Sequence, residues 1–210
     1  MRQFFIALLA FVALAAAEPH THDGFFMNYA VGAGYQDFSI KQPNYENAGF
    51  EGVASEFSLK LGKAISPNLV VHFTLFDVEN KNELYLDGDT YPAEGVSSML
   101  IGIGATHYTE RNYFTSFSIG YAQAHPATQA EIDFGHRSFC FGVEATIGKE
   151  WWWGDEWGFG GALAFTYIRN SQKYFNASAY GINFMLSLTY NEGLTSRRQS
   201  GLYRADLFCT

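Results

Sequence analysis

Two groupings in this sequence carry residue types that do chemistry. His136-Arg137-Ser138 sets an imidazole two residues from a hydroxyl, the pairing a general base and a nucleophile need. Glu144 is the acid on the same face of the strand that follows. Eight residues separate it from His136, about 26 Å at the rise of an extended chain, so these three form no triad. An acid from a neighbouring strand or loop has to complete one. The second grouping is acidic: Asp77, Glu79, Glu83, Asp87, Asp89 and Glu94 stand with Lys81 as the single cation between them. Asp87-Gly88-Asp89 offers carboxylates to a hard divalent cation, but the full spacing of a calcium loop is missing. A solvated acidic loop is the plainer reading, and the sequence assigns no metal and no cofactor.

The elements that position these residues are strands with two unlike faces. In the stretch 179–190, Tyr180, Ile182, Phe184, Leu186, Leu188 and Tyr190 are large and apolar at every second place. Gly181, Asn183, Ser187 and Thr189 alternate with them. Successive side chains of a strand point to opposite faces, so one face is an unbroken apolar band and the other is small or polar. A band of that kind with aromatic ends suits lipid. The same rhythm recurs over 25–35, 53–62, 69–76, 97–107, 113–122, 139–148 and 159–167, which makes eight strands. Connections alternate between long (37–52, 77–96, 123–136, 169–178) and short (63–68, 109–112, 151–157). The sequence thus predicts an all-β fold, an eight-stranded antiparallel up-and-down transmembrane β-barrel.

Composition fits that solvent. The 210 residues include 20 Phe, 13 Tyr and 21 Gly, with 16% charged. Mean hydropathy is only −0.08, because alternating strands average out in a hydropathy window. Residues 1–17, with Arg2 ahead of a short apolar run and an Ala15-Ala16-Ala17 ending, have the layout of a secretory signal peptide. The expected organisation is a signal peptide at 1–17, one barrel domain at 18–190 and a periplasmic tail at 191–210. An exported chain without spanning helices crosses lipid as a closed barrel, which satisfies every backbone N–H and C=O. The net charge of −8 argues against nucleic acid as a partner.

Eight strands enclose a space just wide enough for side chains to fill. Glu56, Lys60, His72 and Glu144 are the inward ionisable groups, and each is costly to bury without a partner. They are expected to form a polar network that plugs the lumen. Register counted from the 63–68 turn sets Lys60 beside His72, and the sixth strand stands across the barrel from the second, so Lys60 should meet Glu144. Cys140 and Cys209 fall at opposite ends of the barrel, beyond the Cα separation of about 7 Å that a disulfide allows. They are expected to be free thiols.

Gly181-Ile182-Asn183-Phe184-Met185-Leu186, a glycine followed at fixed offsets by apolar residues, is similar to the C-terminal insertion signal of bacterial outer-membrane barrels. With the strand count, the mature chain resembles the small eight-stranded barrels typified by the OmpA transmembrane domain and OmpX. The resemblance implies a Gram-negative outer membrane and both termini in the periplasm. It implies outer-membrane lipid, lipopolysaccharide and the barrel-assembly machinery as partners, with an extracellular partner engaged through the loops. The function read from it is structural or surface-interacting, without catalysis and without a solute pore. Two alternatives stand beside it. One is a lipid A-modifying enzyme built on His136 and Ser138. The other is a soluble lipocalin-like barrel, whose large apolar face would turn inward around a ligand.

Overall fold

The computed structural model describes residues 21–42, 45–127, 140–171 and 176–192. Within them the chain forms ten strands: β1 (Phe25–Gln42), β2 (Tyr45–Ser66), β3 (Leu69–Asn80), β4 (Leu84–Leu86), β5 (Asp89–Tyr91), β6 (Gly95–Tyr108), β7 (Tyr113–Ala127), β8 (Cys140–Trp153), β9 (Trp157–Ser171) and β10 (Asn176–Glu192). Eight of them close a ring in the order β1-β2-β3-β6-β7-β8-β9-β10, each antiparallel to its neighbours. Closure runs along β1 and β10, from Phe25 opposite Glu192 to Lys41 opposite Asn176.

The bulky alternate positions point away from the ring. Phe184, Leu186, Ile103, Phe117 and Phe73 are among the most exposed side chains, while their sequence neighbours Asn183, Met185 and Ser118 are buried. Tyr180, Ile182 and Leu188 are outward and exposed as well, and Tyr190 is half-buried on the same face. This orientation excludes the lipocalin-like alternative, in which the large side chains converge on an interior. Several strands also outrun the spans read from periodicity. At about 3.3 Å per residue, the 22 residues of β2 extend well past a hydrocarbon layer of about 30 Å.

Three departures from the sequence reading have local causes. Pro67 and Asn68 form a two-residue turn between Ser66 and Leu69, and a bulge leaves Ile65 without a cross-strand partner. A two-residue turn alone would set inward positions of β2 against outward ones of β3, and one extra residue restores the phase. Lys60 consequently lies opposite Thr74, and His72 opposite Gly62, so Lys60 and His72 are not the cross-strand neighbours expected.

The acidic stretch 77–96 also contains structure. Asp77 to Asn80 extend β3, and β4 and β5 form a hairpin with Asp87 and Gly88 as its turn, at φ 50° and 98°. A two-residue hairpin turn of this twist requires positive φ at both central residues, which Asp-Gly supplies. The Asp87-Gly88-Asp89 stretch is therefore turn chemistry, and among the described residues no group of three His, Cys, Asp or Glu is placed to hold a metal ion. The third departure concerns the tryptophans: Trp151, Trp152 and Trp153 belong to β8, and only residues 154–156 turn.

Candidate functional site

Inward side chains fill the ring in three layers. At the short-turn end, Phe26, Val70, Tyr108, Phe114, Ala162 and Met185 pack together. His22, ahead of β1, is fully buried and stacks on Tyr108 with ring centroids 3.7 Å apart. Its edge meets the Trp152 ring at 5.3 Å. The main chain of this segment is tied down too: His22 N–H donates to the Pro67 carbonyl at 2.9 Å, and the Gly24 carbonyl accepts from Ala64 N–H at 3.0 Å. At the long-loop end, Phe38, Phe50, Phe76, Val96, Leu100 and Ile168 form an apolar layer. Leu84 of the β4–β5 hairpin is buried in that layer, because β4 pairs with the end of β2 from Ala48 to Phe50.

Between the two apolar layers lies the polar one. Lys60 Nζ is 3.2 Å from Glu144 Oε2, with both side chains buried. The pair spans the lumen, since β2 and β8 are four places apart in a ring of eight. Ser58 and Ser118 donate to the Glu144 carboxylate at 3.3 and 3.4 Å. The ammonium also donates to Ser116 Oγ at 3.1 Å. The His72 ring nitrogens meet Thr74 Oγ1 at 2.9 Å and Thr106 Oγ1 at 3.0 Å.

Those two threonines connect His72 to the ion pair from both sides. Thr106 donates to Ser116 at 2.9 Å, and Thr74 lies 2.9 Å from Ser118. The result is a closed circuit: His72, Thr106, Ser116, Lys60, Glu144, Ser118, Thr74 and back to His72. Such a circuit satisfies buried polar atoms that would otherwise each cost about 1–3 kcal/mol. Both imidazole nitrogens of His72 are engaged by hydroxyls within this circuit.

Glu56, the fourth inward ionisable residue, stays outside that circuit. It is buried and accepts a hydrogen bond from Asn183 Nδ2 of β10. A second cluster lies toward the short turns, where the Glu150 carboxylate accepts from Tyr108 OH at 3.1 Å and from Thr189 Oγ1 at 2.7 Å. Asn28 Nδ2 donates in turn to Thr189 at 2.7 Å. Sequence reasoning missed Glu150 because it treated 151–157 as a connection. Extending the inward phase of Glu144, Thr146 and Gly148 by one more step would have found it. His22 gave no signal at all, since three residues ahead of a strand show no period.

A cavity of about 20 Å³ is lined by Asn28, Ser58, Lys60, Glu144, Thr146 and Ser187, among others, which is room for about one water molecule. His136, Ser138 and Cys209 lie outside the described residues, as do 1–20 and 193–210. Of Cys140 only the backbone, at the start of β8, is described. Asn191 and Glu192 complete β10, and Asn191 N–H donates to the Glu156 carbonyl at 2.8 Å.

No protein-family profile matches this chain, and no curated protein matches it either. Solved structures do. The outer membrane protein OprG from Pseudomonas aeruginosa superposes with a TM-score of 0.54 at 10% identity, covering 83% of this chain and 98% of its own. Neisserial surface protein A superposes with a TM-score of 0.51 at 11% identity, covering 81% of this chain and 98% of its own. At such identities the likeness is one of fold, and the fold is that of the small closed outer-membrane β-barrels.

Proposed function

We propose that this chain is an integral protein of the bacterial outer membrane, with a structural or surface-interaction role carried by its loops and a lumen closed to solutes. The observation that carries the reading is the pairing of an outward apolar band with a filled interior. Exposed Phe73, Ile103, Phe117 and Phe184 would each be unfavourable in water and are at ease among acyl chains. Inside, the Lys60–Glu144 pair, the His22–Tyr108 stack and the buried Leu84 occupy different levels of the barrel, which supports a lumen closed to solutes. The termini then lie on the periplasmic side with the short turns, and the long connections face outward. The role assigns no reaction to the chain.

Conductance across a planar bilayer tests the closed lumen. Purified barrel is expected to insert, shown by a heat-dependent shift in gel migration, without discrete current steps. Regular steps from the wild-type chain would contradict the plug while leaving the membrane location intact.

A further inference from the structure

We propose that the outer surface of the barrel binds one glycerophospholipid, its phosphate at Lys63 and His107 and its two acyl chains in the furrows on either side of Phe117. This rests on the outer-membrane reading above and specifies a ligand for a surface that reading leaves uniform.

The furrows follow from side-chain size. One outward row runs across neighbouring strands as Val71, Ala105, Phe117, Ala145 and Phe165. Alanine alternates with phenylalanine in that row, so the surface dips at Ala105 and Ala145 and rises at Phe117 and Phe165. The larger depression, about 710 Å³, lies among Leu61, Val71, Phe73, Ile103 and Ile119. The smaller, about 430 Å³, lies among Leu69, Thr115, Ala145, Ile147 and Phe165. Both include Ala105 and Phe117, so they are two arms of one feature divided by a single ring.

Each arm has a basic residue in its lining. Lys63 belongs to the larger and His107 to the smaller. Lys63 is opposite Val71, Val71 is opposite Ala105, and His107 is two residues beyond Ala105 toward the β6–β7 turn. Both therefore sit at the short-turn end of the furrows, where lipid headgroups meet the barrel. Among the described residues Lys63 forms no ion pair, and His107 contacts Asn68 Nδ2 at 3.4 Å. A basic end joined to two apolar arms matches an anionic head carrying two chains. A bulk annular lipid needs neither the fork nor the cation.

Native mass spectrometry of the full chain, released from detergent after incubation with phosphatidylglycerol, reads the site directly. One retained lipid per chain is expected. Ala105→Phe, which fills the point where the arms meet, should weaken retention about tenfold or more, the equivalent of losing a few buried methylene contacts. Ala33→Phe, also outward but on β1, should leave retention unchanged. Lys63→Gln should weaken it and Lys63→Arg preserve it, and these exposed changes report even if Ala105→Phe does not fold. Folded wild-type chain that retains no lipid overturns the site alone, as does equal loss in Ala33→Phe, or a dimer that forms in place of the lipid-bound monomer. Failure of the wild-type chain to insert into bilayers overturns the outer-membrane reading together with the site.

Discussion

Lys60 and Glu144 are 84 positions apart in the sequence, yet they meet at 3.2 Å across the lumen, both shielded from solvent. Their pairing fixes β2 against β8 on the far wall, and the hydroxyls of Ser58, Ser116 and Ser118 complete the shell. Removing one member of a buried pair costs about 3–5 kcal/mol, because the remaining charge is stranded, whereas replacing both with apolar residues of similar volume is often neutral. Lys60→Met is therefore expected to destabilise the barrel by about that amount, and Lys60→Met with Glu144→Leu to recover most of it. Urea unfolding in phospholipid vesicles measures both. Equal losses in the single and double variants would show that the pair is not the determinant.

Depth on the outer surface sets a second expectation. Phe184, midway along β10, is opposite Ala33 on one side and Leu163 on the other. Phe25 lies at the end of β1. Arginine on the lipid face costs about 2–4 kcal/mol at the bilayer midplane and about 0–1 near the interface. Phe184→Arg should be the more damaging of the two by roughly 2 kcal/mol in the same unfolding measurement. Similar costs at both positions would place the lipid band elsewhere.

The glycines of the inner wall set a third. Gly102 and Gly120 face each other on β6 and β7, and a Cβ added to Gly120 would lie 2.4 Å from Gly102 Cα and 2.2 Å from the Ile101 carbonyl oxygen. Those are backbone atoms, which cannot step aside as a side-chain tip can. Gly120→Ala should cost about 1–3 kcal/mol, the usual range for overpacking, read as a lower urea midpoint. An unchanged midpoint would mean that the two strands can part without loss.

A fourth concerns the cap. Gly88 has φ 98° with no atom near its missing Cβ, so Gly88→Val is opposed by backbone strain rather than by crowding. Strain of that kind costs about 1–3 kcal/mol, a large share of what holds two three-residue strands. The variant should be nicked by protease between residues 84 and 91 while its barrel keeps the same thermal gel shift. Resistance equal to wild type would show that Leu84 and the β2 edge hold the hairpin without its turn.

The eight barrel strands and the phase of every one of them were legible because alternation is a property of the chain itself. Tyr180 through Tyr190 state their two faces without reference to any partner. Register is a property of two strands and a turn, which is why Lys60 was set beside His72 when an extra residue at Ile65 puts Thr74 there. The β4–β5 hairpin was hidden for a different reason. Asp87-Gly88 is a strong turn signal, but the acids around it drew attention to charge, and three-residue strands show no period. Glu150 and His22 lay outside the spans that periodicity could mark, so the carboxylate that Tyr108 and Thr189 hold and the ring stacked on Tyr108 became visible only with the fold.

The central claim is that large alternate side chains touch lipid while small and polar ones face the lumen. Spin labels attached along β10 through Ile182→Cys, Asn183→Cys, Phe184→Cys, Met185→Cys and Leu186→Cys, in a background lacking Cys140 and Cys209, test it in reconstituted vesicles. Collisions with dissolved oxygen, which concentrates in the bilayer, should be frequent at 182, 184 and 186 and rare at 183 and 185. Water-soluble nickel reagent should reach none of the five. Nickel access at the even positions, or an oxygen signal without a two-residue period, would contradict the account.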